Sequence, residues 1–154
     1  MLKYVDSVVT FSEIPDEITL CINISNCPCH CKGCHSSYLA EDIGEELNSL
    51  SLKELISNNK GITCICFMGG DSNPSEVDAL AQFIKIYFPI KIAWYSGRQE
   101  LSKDINLNNF NFIKLGPYIE DLGPLNSKTT NQRFYKIEEG ELVDITNLFW
   151  KNND

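Results

Sequence analysis

Residues 18–35 read ITLCINISNCPCHCKGCH, an apolar, β-branched run that passes through Ser25 and Asn26 straight into four cysteines and two histidines. Ile18–Ile24 has the composition of a buried strand, and the turn formers after it announce a loop. The same punctuation recurs three times. Ile62–Met68 (ITCICFM) ends in Gly69-Gly70, Ile90–Tyr95 (IKIAWY) in Ser96-Gly97, and Phe110–Leu115 (FNFIKL) in Gly116-Pro117. Helical signals lie between the first runs. Ser51–Asn58 (SLKELISN) offers Ser51 as a cap with Glu54 three residues on, and Leu52, Leu55 and Ile56 at helical spacing. Pro74 opens a second stretch with Val77, Leu80, Ala81 and Ile84 on one face.

Strands alternating with helices predict an α/β domain with a parallel sheet and right-handed crossovers, closed or partly closed as a barrel or open and doubly wound. In either form ligands bind beyond the carboxyl ends of the strands. The cysteine segment and Gly69-Gly70 each follow a strand, so they are expected on one rim. Arg133–Ile137 and Leu142–Ile145 flank Glu138-Glu139-Gly140 in the manner of a C-terminal hairpin. With no repeat, linker or low-complexity tract, residues 1–154 are expected to form a single domain.

The composition narrows the function classes. A chain of 154 residues, 43% hydrophobic, can bury a real core. A formal charge of −8 with no basic run gives no footprint for a phosphate backbone, so nucleic acid is not an expected partner. The opening MLKYVDSVVTFSEIPDE has acidic residues where a leader needs a basic end and an apolar stretch, and no later run is long enough to span a bilayer. A cytoplasmic location away from membranes is expected.

Seven cysteines are many for this length, and an odd number argues against a disulfide framework. Cys21, Cys64 and Cys66 sit inside apolar runs and read as core filling. Cys27, Cys31 and Cys34 are spaced C-x3-C-x2-C, and thiolates are the ligands that hold iron-sulfur clusters, normally four for a four-iron cube. Three leave one iron open to the amino and carboxylate groups of a substrate. Zinc competes for this segment, since Cys29, or His30 or His35, would complete a tetrahedral site. Against zinc stands the lack of a second separated ligand pair, apart from Cys64 and Cys66 within a strand. A set of unligated thiols in a polar loop would be prone to oxidation.

Gly69-Gly70-Asp71 would let a ligand approach the main chain, although an ordinary strand-to-helix turn uses the same residues. Ser96 and Gly97 are the matching rim candidates after the third run. Trp94 and Tyr95 before them are more in keeping with core, and Arg98 with a solvated surface.

The Cys27-x3-Cys31-x2-Cys34 spacing resembles the signature of the radical S-adenosylmethionine superfamily, and Gly69-Gly70-Asp71 resembles its Gly-Gly-Glu motif with Asp in place of Glu. The wider chain resembles the anaerobic ribonucleoside-triphosphate reductase activating proteins: Cys27-Pro28, Lys32-Gly33-Cys34-His35, Trp94-Tyr95-Ser96-Gly97, Gly116-Pro117-Tyr118-Ile119, Gly123-Pro124-Leu125 and Asn131-Gln132-Arg133 carry the likeness. The resemblance implies a [4Fe-4S] cluster on Cys27, Cys31 and Cys34, with S-adenosylmethionine contacted by the Gly69-Gly70-Asp71 and Ser96-Gly97 turns. It implies reductive cleavage to a 5′-deoxyadenosyl radical and formation of a glycyl radical on the large reductase, with a flavodoxin-like electron donor. It also implies a truncated, partly open (β/α) barrel. Gly33 stands where many superfamily members place an aromatic residue, which leaves only backbone contact there.

Overall fold

The computed structural model describes residues 1–26 and 42–150. Eight strands form one sheet: β1 (Leu2–Thr10), β2 (Thr19–Ile24), β3 (Glu45–Leu47), β4 (Cys64–Met68), β5 (Lys91–Tyr95), β6 (Phe112–Leu115), β7 (Arg133–Glu138) and β8 (Glu141–Asp144). Their order across the sheet is β3-β1-β2-β4-β5-β6-β7-β8. The four strands that follow from the apolar runs, β2, β4, β5 and β6, are parallel neighbours at its centre. Antiparallel pairs flank them, β1 and β3 on one side and the β7–β8 hairpin on the other. Among the described residues β3 and β8 end the order without pairing to each other.

The central strands are apolar on both faces because both faces are covered. On one, Leu20, Ile22, Ile24, Ile65, Phe67, Ile92, Trp94 and Ile113 pack with Leu52 of helix α1 (Ser49–Asn58) and with helix α2 (Pro74–Tyr87). The α2 stripe is Val77, Leu80, Ala81 and Ile84, the set its spacing predicts. Full burial of each such aliphatic side chain contributes about 1.5–3 kcal/mol. On the other face Cys21, Cys64, Cys66, Ala93, Tyr95 and Phe112 meet Ile14, Leu125 and Phe134. The three thiols are free and buried, as their place in apolar runs predicts. No helix among the described residues is long and apolar enough to cross a membrane.

Three local features differ from expectation. β1 carries no clean strand signal, since Lys3, Asp6 and Ser7 interrupt its apolar residues; it forms because β2 offers it a free edge to pair with. The cap of α1 is Asn48 and not Ser51. Asn48 Oδ1 accepts from Ser51 N at 2.9 Å while Ser51 Oγ accepts from Asn48 N at 2.8 Å, a reciprocal capping box one turn earlier. The β5–β6 connection contains only a 3-10 turn, Leu107–Asn109, where the alternation of strands and helices predicts a helix. Side chains there capture the backbone donors that a helix would use: Asp78 Oδ1 takes Asn106 N at 2.9 Å, and Asn106 Oδ1 takes Asn108 N at 3.0 Å.

Candidate functional site

Parallel pairing brings four loop starts to one end of the sheet: Ser25-Asn26 after β2, Gly69 after β4, Ser96 after β5 and Gly116 after β6. Ser25 N donates to Lys3 O at 2.9 Å, which fixes the end of β2. Asn26 has φ 58°, a left-handed conformation that Asn tolerates better than most side chains, so the chain turns immediately before position 27. Cys27, Cys31 and Cys34, with Cys29, His30 and His35, lie outside the described residues. Among the described residues no cluster of three or more His, Cys, Asp or Glu side chains is placed to hold a metal.

The glycine turn is built on backbone that other residues adopt poorly. Gly69 and Gly70 have φ of 107° and 93°. A Cβ on Gly69 would stand 3.2 Å from Ile24 O, so this turn abuts the end of β2 just before the cysteine segment. A Cβ on Gly70 would strike Val77 Cγ2 at 2.5 Å, so Gly70 admits α2 as much as it serves the rim. Gly69 N donates to Tyr95 O at 3.0 Å, and the Trp94 indole donates to Gly69 O at 2.6 Å. Trp94, 1% exposed, thus fills the core and also orients a rim carbonyl.

Asp71 draws the next loop in. Its Oδ1 accepts from Ser96 Oγ at 2.5 Å and its Oδ2 from Gly97 N at 2.8 Å. Ser96 Oγ accepts from Arg98 N at 3.1 Å, Arg98 O accepts from Gly116 N at 2.7 Å, and Ser96 N donates to Lys114 O at 2.9 Å. Of the sequence-marked rim residues, Asp71, Ser96 and Gly97 therefore form one hydrogen-bonded group spanning the ends of β4 and β5 and tied on to β6, while Gly69 is held to β5 through Tyr95 and Trp94 and Gly70 accepts from Asn73 N within its own turn.

A cavity of about 710 Å³ lies beside this rim on the sheet face opposite the helices, with Phe11, Glu13, Tyr95, Lys114, Gln132 and Phe149 in its wall. Two of these are buried polar side chains that sequence reasoning did not single out as site residues. Lys114, 8% exposed, donates from Nζ to Gly116 O at 3.0 Å, and Gln132, 7% exposed, donates from Nε2 to the same oxygen at 3.4 Å. The signal for Lys114 was a lysine within the apolar run FIKL, at a position whose neighbours face inward. Burial pushes the Glu13 carboxyl up, against the pull of the Lys114 ammonium. Burial also raises the Tyr95 phenol well above its ordinary value and holds Cys64 near 12 and Cys66 higher than usual. These thiols stay protonated at neutral pH and are poor metal ligands. Cys21 is moved the other way by a hydrogen bond from Cys66. A second cavity, of about 700 Å³, opens at the opposite strand ends near Thr63, Lys91 and Asn111.

No curated protein and no solved structure matches this chain. The family of 4Fe-4S single cluster domains matches residues 18–135, from the start of β2 through the cysteine segment and all four parallel strands into β7. That span takes in most of the chain and every rim element just described: the protein belongs to the family of 4Fe-4S single cluster domains.

Proposed function

We propose that this protein is a radical S-adenosylmethionine activase that generates a glycyl radical on the large anaerobic ribonucleoside-triphosphate reductase. The observation that carries the reading is the rim: a glycine turn and a Ser-Gly turn, locked together by Asp71, stand at the strand ends where the three-cysteine segment of an iron-sulfur family begins. Cys27, Cys31 and Cys34 would hold the cluster, and family membership favours iron over zinc in that segment. When bound, the cluster supplies the electron that splits the sulfonium into methionine and a 5′-deoxyadenosyl radical, which takes a hydrogen atom from glycine.

The described residues bind and orient. Gly69 presents a carbonyl fixed by the Trp94 indole, a suitable acceptor for the ammonium of an amino acid moiety. Ser96 and Gly97 hold the adjoining wall, and the cavity by Tyr95 and Lys114 gives room for a substrate segment next to it. In this reading the sheet is a truncated, partly open barrel whose open side admits a protein loop, and a flavodoxin-like protein donates the electron.

The test is anaerobic reconstitution with iron and sulfide, then reduction with S-adenosylmethionine. About one four-iron cluster per chain is expected, with 5′-deoxyadenosine and methionine formed in equal amounts, and Cys31→Ala should abolish both. Uptake of about one zinc and no brown cluster, or cleavage that survives Cys31→Ala, would defeat the reading. Added large reductase should give a glycyl doublet by electron paramagnetic resonance; cleavage without that signal would move the substrate to another glycyl-radical enzyme or a small molecule.

A further inference from the structure

The acid after the glycine pair is buried and pointed at protein. Asp71 is 7% exposed, and both carboxylate oxygens accept hydrogen bonds from the loop after β5, at 2.5 Å from Ser96 Oγ and 2.8 Å from Gly97 N. Ser96 is itself 1% exposed, so its hydroxyl has little freedom to follow a displaced partner. The hold extends further, through Arg98 N to Ser96 Oγ and Gly116 N to Arg98 O, so one carboxylate fixes loops after three strands. Buried carboxylates need such donors, and charge-assisted bonds of this kind are the strong ones.

We propose that Asp71 is a positioning residue whose side-chain length sets the spacing between the β4 and β5 loops, so that glutamate at this position loosens the rim. The proposal deepens the reading of the rim as an S-adenosylmethionine site and rests on it for its ligand. With Asp71 buried and both oxygens already engaged, an extra methylene would push the loops apart or rotate one oxygen away from its donor, and overpacking of this kind is destabilising. A group that bound the ligand's ammonium directly would behave oppositely. Glutamate, with the longer reach and the same charge, would keep that contact, while the isosteric amide would lose it.

The experiment compares Asp71→Glu, Asp71→Asn and Ser96→Ala in the full chain, anaerobically reconstituted. Amide hydrogen exchange, read without S-adenosylmethionine, is expected to speed about ten-fold at Gly97 and Gly116 in Asp71→Glu, and less in Asp71→Asn, which keeps the size and one acceptor. KM for S-adenosylmethionine should rise about ten-fold in Asp71→Glu, outweighing any fall in kcat, with a smaller rise in Asp71→Asn. Ser96→Ala, which removes one arm of the contact without enlarging anything, should quicken Gly97 exchange in the same direction and serves if Asp71→Glu does not fold. Unchanged exchange at Gly97 in these variants, or a glutamate variant that binds as tightly as the parent while the amide variant fails, would overturn the proposal. If the parent protein binds no S-adenosylmethionine, the ligand reading falls, and the exchange data alone still decide whether Asp71 sets the loops.

Discussion

Ile65 and Cys66 are consecutive residues of β4, both 0% exposed, and they face two different interiors. Ile65 belongs to the face where large aliphatic and aromatic side chains interlock with α1 and α2. Cys66 belongs to the opposite face, where three thiols, Ala93 and an aromatic group of Tyr95, Phe112, Phe134 and Phe149 replace them, with a cavity of about 710 Å³ at its margin. The helix-covered face stabilises the sheet through volume. The thiol face keeps small groups at the sheet and leaves space near the strand ends, and Glu13 and Lys114 stand in the cavity wall. Helix packing and the cavity are thus divided between alternate residues of the same strands, which period-2 geometry makes possible.

Truncating each neighbour in turn breaks the comparison most directly. Ile65→Ala should lower unfolding free energy by about 2–5 kcal/mol, because it leaves a cavity among side chains locked by two helices. Cys66→Ala removes one sulfur and should cost only about 1 kcal/mol by the area it buries. Denaturant titration of the reconstituted protein measures both, and equal losses would show that the two faces are packed alike. The glycines sharpen the same contrast between the site end and the far end. Gly70→Ala combines φ of 93° with a 2.5 Å clash against Val77, while Gly61→Ala, at φ 91°, meets nothing within 4 Å. The first should cost about 1–3 kcal/mol beyond the second, which bears only the conformational term.

The helix-covered face was the more legible of the two. Runs such as ITCICFM and IKIAWY declare strands by branching and length, and the α2 stripe by its spacing, because packing on that face demands a regular pattern. The turns closing those runs marked Gly69, Gly70, Ser96 and Gly97 as a rim. What escaped were relationships between distant residues. The contact of Asp71 with Ser96 spans 25 positions and no local pattern encodes it. Lys114 was hidden because a lysine in a strand ordinarily faces water, and its burial depends on β7 and the N-terminal loop closing over it. β1 escaped because its partner, and not its own alternation, makes it a strand. Asn48 escaped because Ser51 carries the stronger cap signature; Asn48→Ala should cost about 1 kcal/mol in thermal unfolding, whereas a true N-terminal cap at Ser51 would make Ser51→Ala the worse change.

The smallest effect is a pH dependence confined to the thiol face. Burial raises the Glu13 carboxyl and Lys114 lowers it by less. Cys21, Cys66 and Tyr95 also lie on this face, and the Tyr95 hydroxyl donates to Glu13 O at 2.5 Å, which holds the loop in place. The folded-state pKa therefore exceeds that of the unfolded chain. The contribution of this group to stability is fully present below the unfolded value and is lost as pH rises through the folded value, because ionisation is then harder in the folded protein. Glu13→Gln removes the penalty while keeping shape, so its melting temperature should exceed the parent's at pH 7 and approach it as pH falls toward 4. Partial solvation of the site keeps the difference small. A variant that melts below the parent at pH 7 would mean that the charged Glu13 is held by Lys114 more strongly than burial opposes it.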